Sequence, residues 1–309
     1  MKKIVVIGSS NVDMIIQLKN LPKPGETITG GTFSQAFGGK GANQAVGAAR
    51  ASDKSISVSF ITCLGEDDHA RLFIESLTKD NLNVDFAFRE KGFNTGTALI
   101  MVDESGTNCI GVAPGANFQL HPEHIDQSVE LMKEAAYIIL QMEIPVETTK
   151  YILDTAAKLN CKVILNVAPA IPIEDSYLEK LEILIVNETE ASEMTGIVTD
   201  TDENIQKAAE VLRRKGAKSV IITLGSAGSY VNDGKTKEFV KAYQVKAIDT
   251  TAAGDTYCGA LAVALTEGKT IVEAIKFASA ASALSVTRLG AQPSVPWRNE
   301  IDKFISSNS

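Results

Sequence analysis

An α/β fold with a parallel sheet covered on both faces is what this sequence predicts, and three observations carry it. Short apolar, β-branched runs alternate with amphipathic helical stretches along most of the chain. Glycines and polar residues collect just beyond those runs, where open α/β sheets bind ligands. Two segments, 11–33 and 96–112, break the rhythm. Each has the form of a hairpin, apolar at too many positions for a solvated strand. A small sheet lying over the main one as a lid accounts for them, and so does pairing with a second subunit.

The elements follow in order. "KIVVIG" (3–8) is a buried strand closed by glycine. "NVDMIIQL", the turn "PKPGE" and "TITGGTF" form the first hairpin. "KGANQAVGAARA" is a helix entered through a glycine pair, "SVSFITCLG" a strand, and "DDHARLFIESLTKD" a helix with Leu72, Phe73 and Leu77 on one face. "GTALIMV", "DESG" and "TNCIGV" make the second hairpin. Strands are expected at "AYIILQ", "CKVILNV", "EILIVN" and "SVIITLG", and helices at 147–159, 188–195 and 202–215. Two helices rich in small residues, near 254–267 and 270–287, can pack closely.

The 309 residues are 44% hydrophobic, ample for a sizeable core, and carry a net charge of −8. An acidic chain without Lys/Arg clusters is a poor candidate for nucleic acid or anionic membrane. An anionic ligand would need local positive potential. The four cysteines (Cys63, Cys109, Cys161, Cys258) contain no C-x-x-C pair and read as buried, reduced thiols. The opening apolar run is too short for a signal peptide, and no stretch matches a membrane span. A soluble, cytoplasmic protein is expected. His69, His121 and His124 read as surface residues.

Four clusters carry chemistry. In "AIDTTAAGDTYCGALAVAL" (247–265) a β-like run ends in Thr-Thr-Ala-Ala-Gly before a helix opens on Asp255. Unpaired N–H groups at a helix start attract anions. Ala252, Ala253 and Gly254 leave them bare, and Gly254 permits a positive φ. Asp255 beside them has the position of a general base, or simply of a helix cap. In "AFGGKGANQA" (36–45), Gly38, Gly39 and Gly41 admit a ligand close to backbone, and Asn43 offers a donor and an acceptor. This is neither a Walker A loop nor G-x-G-x-x-G, and "GSSNVD" after the first strand argues against a nicotinamide dehydrogenase. In "SNVD" (10–13), Asn11 and Asp13 share a strand face and can grip a vicinal diol. In "NETE" (187–190), Asn187 and Glu190 fit either a capping box or the orientation of a hydrated metal, with Glu143 at a neighbouring strand end.

Together these clusters resemble the ribokinase family of sugar kinases over nearly the whole chain. "PGET" (24–27), "GGKGANQA" (38–45), "NETE" (187–190), "TLGSAG" (223–228), "DTTAAGDT" (249–256) and "GAQPSVPW" (290–297) carry the resemblance. It implies a single three-layer α/β/α domain over 1–309, with a lid formed by insertions at about 12–33 and 96–110. It implies ATP-dependent phosphorylation of D-ribose at the 5-hydroxyl. Asp255 matches the family's base, and Ala252, Ala253, Gly254 and the Asp255 N–H its anion hole. Asn11, Asp13, Gly38, Gly39, Lys40, Asn43, Glu143 and Asp255 match sugar-binding positions. Asn187, Thr223, Gly225, Ser226, Gly228, Gly254 and Ser279 match ATP-binding positions, Ser279 being smaller than the residue often found there. Asn187 and Glu190 match a pair serving Mg²⁺ through water. Asp249, Thr251, Ser285, Arg288, Gly290 and Ser294 match a K⁺ loop that uses mostly backbone oxygens, with Thr251 where an aliphatic residue is common. The family often forms homodimers through the lid. Competing expectations are a kinase of another sugar or nucleoside, and a non-catalytic sugar-binding protein.

Overall fold

Strand β1 (Lys2–Ile7) sets the layering. Ile4 and Val6 enter one apolar cluster, Val5 and Ile7 another, and all four are fully buried. A strand covered on both faces belongs at the centre of a sheet. The computed structural model describes residues 1–308. From β1 the chain makes β2 (Asn11–Gln17), β3 (Thr32–Gly38) and helix α1 (Lys40–Ala51). It continues through β4 (Ile56–Gly65), α2 (Asp68–Lys79), β5 (Ala87–Glu90), β6 (Gly96–Val102) and β7 (Asn108–Ala113). Then come α3 (Pro122–Gln127), α4 (Val129–Lys133), β8 (Ala135–Leu140), α5 (Val146–Lys158), β9 (Val163–Asn166), α6 (Asp175–Leu178), β10 (Ile183–Asn187), α7 (Glu188–Thr195) and α8 (Asp202–Arg214). Strands β11 (Ser219–Thr223), β12 (Ser229–Asn232) and β13 (Lys237–Val240) precede α9 (Ala253–Glu267), α10 (Ile271–Ser285) and α11 (Arg298–Ser307).

The large sheet is 9-stranded, in the order β13-β12-β11-β10-β9-β8-β1-β4-β5. Helices α1, α9 and α10 pack on one face; α5 and α8 cover the other. The three-layer α/β/α expectation holds, with one correction. The sheet is mixed, because β12 near one edge runs antiparallel to both β11 and β13. Among the described residues no helix is long and apolar enough to cross a membrane.

A separate 4-stranded sheet, β3-β2-β6-β7, accounts for the two segments that break the rhythm. Its first hairpin is shifted: β3 is "TFSQAFG", and most of the expected "TITGGTF" lies outside it. Both faces of this sheet are apolar. Met14 pairs with Leu99 and Ile16 with Phe33 on one face; Ile15 pairs with Ile100, and Ile100 with Ile110, on the other, which also carries Asp13.

Three smaller expectations are corrected. Leu72 is exposed, because the buried face of α2 is made by Ala70, Phe73 and Leu77. Cys109 lies exposed in the small sheet, while Cys63 and Cys258 are buried. His124 is not a surface residue: its ring packs on Phe88 and pairs with Glu90.

Candidate active site

Close helix packing builds the centre of the site. A Cβ on Gly259 of α9 would stand 2.5 Å from the Ala48 nitrogen and the Gln44 oxygen, so only glycine lets α9 and α1 touch there. That contact sets Asn43 and Gln44 of α1 against Asp255 of α9. Asn43 Nδ2 donates to Asp255 Oδ2 at 3.1 Å and Gln44 Nε2 to Oδ1 at 3.0 Å. Asp255 is 7% exposed. Burial pushes its carboxyl above the usual range, opposed by the Lys40 charge and the two amide donors. The helix-cap alternative fails, since the side chain reaches across to another helix rather than capping its own.

The start of α9 differs from expectation in three ways. Residues 241–252 form no strand, so the "β-like run" is irregular chain. The positive φ belongs to Ala252, at 58°, and not to Gly254. A left-handed alanine costs roughly 1–2 kcal/mol. The third difference concerns the amides: Ala253 N–H bonds to the Thr250 carbonyl at 3.2 Å. Among the described residues no acceptor meets the N–H groups of Ala252, Gly254 or Asp255. Three of the four expected amides are therefore open.

Two cavities meet at this helix start. One, of about 450 Å³, is lined by Lys40, Asn187, Glu190, Gly254 and Asp255 among others. The other, of about 260 Å³, is lined by Thr223, Gly225, Ser226, Gly228 and Ser279, with Tyr257 and Val286. Gly225, Ala253 and Gly254 border both. A Cβ on Gly254 would meet nothing within 4 Å, so a larger side chain would project into space that the fold leaves open. Gly228 has a structural need of its own: φ is +115°, and a Cβ would lie 2.1 Å from the Val240 oxygen.

Asn11, Asp13, Gly38, Gly39 and Glu143 line neither cavity and gather elsewhere. A Cβ on Gly38 would stand 2.2 Å from Asp13 Oδ2, and Gly39 has φ +88°. Glu143 accepts from Ser9 Oγ at 2.6 Å and from the Lys40 N–H at 2.9 Å. Burial, with the Glu143 charge added, raises Asp13 to about 6. The Lys40 side chain is placed differently from its backbone, in the larger cavity with Glu190. Burial alone would lower its pKa, but the carboxylates of Asp255, Glu143 and Glu190 prevail and raise it.

Asn187 and Glu190 form a reciprocal capping box: each side chain accepts from the other's N–H at 2.8 Å. They also line the larger cavity, so the structural and ligand-facing roles coexist. Burial raises the Glu190 pKa against the Asn187 N–H and Lys40. Among the described residues no group of three or more His, Cys, Asp or Glu is disposed to hold a metal ion. These residues fit Mg²⁺ only as outer-sphere partners of an ion carried by phosphate oxygens.

The 249–251 and 288–294 segments do come together. Asp249 Oδ1 accepts from Thr251 N and Oγ1 at 2.9 and 2.6 Å, and Oδ2 accepts from Gly290 N at 2.8 Å. Those bonds hold its carboxyl below the usual range despite partial burial. Ser285 and Ser294 are fully buried with hydroxyls bonded to nearby carbonyls, whereas the Arg288 side chain leaves to pair with Glu300. The two segments are thus joined through the Asp249 carboxylate.

Several buried polar residues were missed. Asn117 donates to Asn11 Oδ1 at 2.7 Å, which leaves the Asn11 amide NH₂ as its free end. Gln44 bonds to Asp255 and Gln292 to Asn43, while Gln141 and Asn166 bond to Gln44. Asn166 and Gln141 carried a usable signal, each being a polar residue ending an apolar strand.

An α/β/α core with a buried carboxylate and open amides between two cavities defines a small-molecule phosphotransferase class of site. The pfkB family carbohydrate kinase model matches residues 1–298, and the chain belongs to that family. It is 39% identical to a ribokinase from Haemophilus influenzae, over 98% of each chain. It is 35% identical to a deoxyribokinase from Salmonella typhi, over 99% of each. The structure of Arabidopsis thaliana ribokinase complexed with ribose and ATP superposes with a TM-score of 0.92 at 36% identity, covering 98% of each chain.

Proposed function

We propose that this chain transfers the γ-phosphoryl group of ATP to the 5-hydroxyl of D-ribose, giving D-ribose 5-phosphate and ADP. The observation that carries the reading is Asp255, a buried carboxylate adjoining the open N–H groups of Gly254 and its own residue. Family membership and the named ribokinase relatives support it.

ATP places its base and ribose in the cavity of Ser226 and Ser279 and its phosphates in that of Lys40 and Asn187. Sugar hydroxyls are held by Asn11, Asp13 and Asn43, with Glu143 bracing the Gly39–Lys40 backbone. Asp255 accepts the 5-hydroxyl proton as O5 bonds to the γ phosphorus and the bond to the β,γ-bridging oxygen breaks. Charge on the transferring group meets the N–H groups of Ala252, Gly254 and Asp255, and Lys40. Asn187 and Glu190 would hold, through water, the Mg²⁺ that accompanies ATP, and that ion would supply charge neutralisation to the phosphates. Oxygens of the Asp249, Thr251, Ser285, Arg288, Gly290 and Ser294 loop would hold K⁺, which would supply positive charge beside the turn leading into α9. The small sheet acts as a lid, and its apolar faces suit pairing with a second copy: Leu99 is 59% and Val112 58% exposed. A cytoplasmic location accords with such a substrate.

Incubation with ATP, Mg²⁺, K⁺ and D-ribose, followed by mass analysis, yields a pentose monophosphate on this account. ATP consumption that ignores ribose contradicts it. The deoxyribokinase relative motivates one second reading, 2-deoxyribose as substrate. Competition between the two sugars in the same assay separates them through kcat/KM.

A further inference from the structure

We propose that Gln44 is a positioning residue for the Asp255 carboxylate, the last link in a directed chain of buried amides that begins at Gln141. This rests on the reading of Asp255 as the general base. A primary amide has one acceptor end and one donor end, so a bond at one end fixes what the other presents. Gln141 Nε2 donates to Gln44 Oε1 at 2.7 Å. The Gln44 NH₂ is thereby turned to Asp255 Oδ1 at 3.0 Å and to Asn166 Oδ1 at 3.1 Å. A flipped Gln44 would set its oxygen against both acceptors. Gln44 is fully buried and Gln141 is 1% exposed, so water does not substitute for these bonds.

The other carboxylate oxygen is approached in the same way. Gln292 Nε2 donates to Asn43 Oδ1 at 3.3 Å, and Asn43 Nδ2 donates to Asp255 Oδ2. Each oxygen thus has one amide donor and keeps lone-pair capacity for a substrate proton. The chain has clearance at its far end only because residue 8 is glycine: a Cβ there would lie 2.0 Å from Gln141 Oε1, which is buried without a partner. The charged and titratable groups around Asp255 come from other positions: Lys40 on α1, Glu143 beyond β8, Cys258 on α9, and Glu190 on α7 facing Lys40. Substitution of Gln44 leaves all of them in place.

The test is the pH dependence of kcat in Gln44→Met. Use of kcat keeps the titration of Asp13 in the free enzyme out of the profile. Loss of a donor to the ionised carboxylate favours its protonated form, so the acid limb moves to higher pH, by roughly one unit. Gln141→Met, which does not touch Asp255, moves it in the same direction by less. A packing role alone lowers kcat equally at every pH and leaves the limb in place, which overturns the proposal. If Gln44→Met fails to bind ATP and is misfolded, Gln141→Met decides: a shifted limb supports the chain and an unshifted one overturns it. Failure of the base assignment is read separately, as near-normal turnover in Asp255→Asn.

Discussion

The two sheets of this molecule are built on opposite terms. Every residue of β8 and β9 from Tyr137 to Leu140 and from Val163 to Asn166 is buried, and helices seal both faces of the large sheet. The small sheet leaves Phe33 62% and Ile110 54% exposed, on opposite faces. Asp255 and the groups proposed to face the nucleotide stand on the sealed part. Asn11 and Asp13 stand at the beginning of β2, in the open part. The difference teaches that, under the proposed function, the chemistry stands on well-packed structure while grip on the sugar depends on an element with little packing of its own. Changes in the large domain should therefore act on turnover, and changes in the small sheet on sugar affinity.

The largest expected effect breaks the sealed half. Asp255→Asn should lower kcat by about 10²- to 10⁴-fold, with ATP binding retained; stopped-time product assays and nucleotide titration check both parts. On the open half, Asp13→Ala should raise the ribose KM by about 10- to 100-fold, the worth of hydrogen bonds to a charged group, with kcat much less altered. A kcat loss as large as that of Asp255→Asn would erase the distinction between the sheets. Acidification makes the same point more gently. Asp13, raised to about 6, is ionised above that pH and takes up a proton below it. At pH 5 about a tenth remains ionised, so ribose KM should rise by about tenfold from this group. Replacing K⁺ by Na⁺ should lower kcat by a smaller factor and leave ribose KM nearly unchanged, since the proposed cation loop adjoins α9. Smallest in its effect on chemistry, Leu99→Asp should convert a dimer to a monomer in sedimentation, with kcat per chain largely kept. A wild-type monomer would remove the proposed use of the apolar faces.

Much of this was legible in the sequence because long-range order left local marks. Buried β-branched runs such as "KIVVIG" and "EILIV" declare central strands, and helix α1 coincides with "KGANQAVGAARA". What failed lacked such marks. β3, "TFSQAFG", mixes polar and apolar residues and is defined by its pairing with β2 rather than by its own pattern. β12 and β13 are 4 residues each, too short for a periodic signal. Residues 241–252 have β-branched composition but no neighbouring strand to bond. In the site, residue types near a glycine loop pointed to Asp255 and Asn43, whereas the positive φ fell on Ala252, where composition gives no warning. Gln44 sits on a helix face that becomes buried only when Gly259 brings α9 against it, and nothing local marks it.

A structure with ribose and a non-hydrolysable ATP analogue tests the arrangement at Asp255 most directly. The account predicts the 5-hydroxyl within about 2.6–3.2 Å of the Asp255 carboxylate, with a γ-phosphate oxygen accepting from the Gly254 and Asp255 N–H groups. A sugar hydroxyl held by other residues, with those amides facing away from the phosphate, would contradict it.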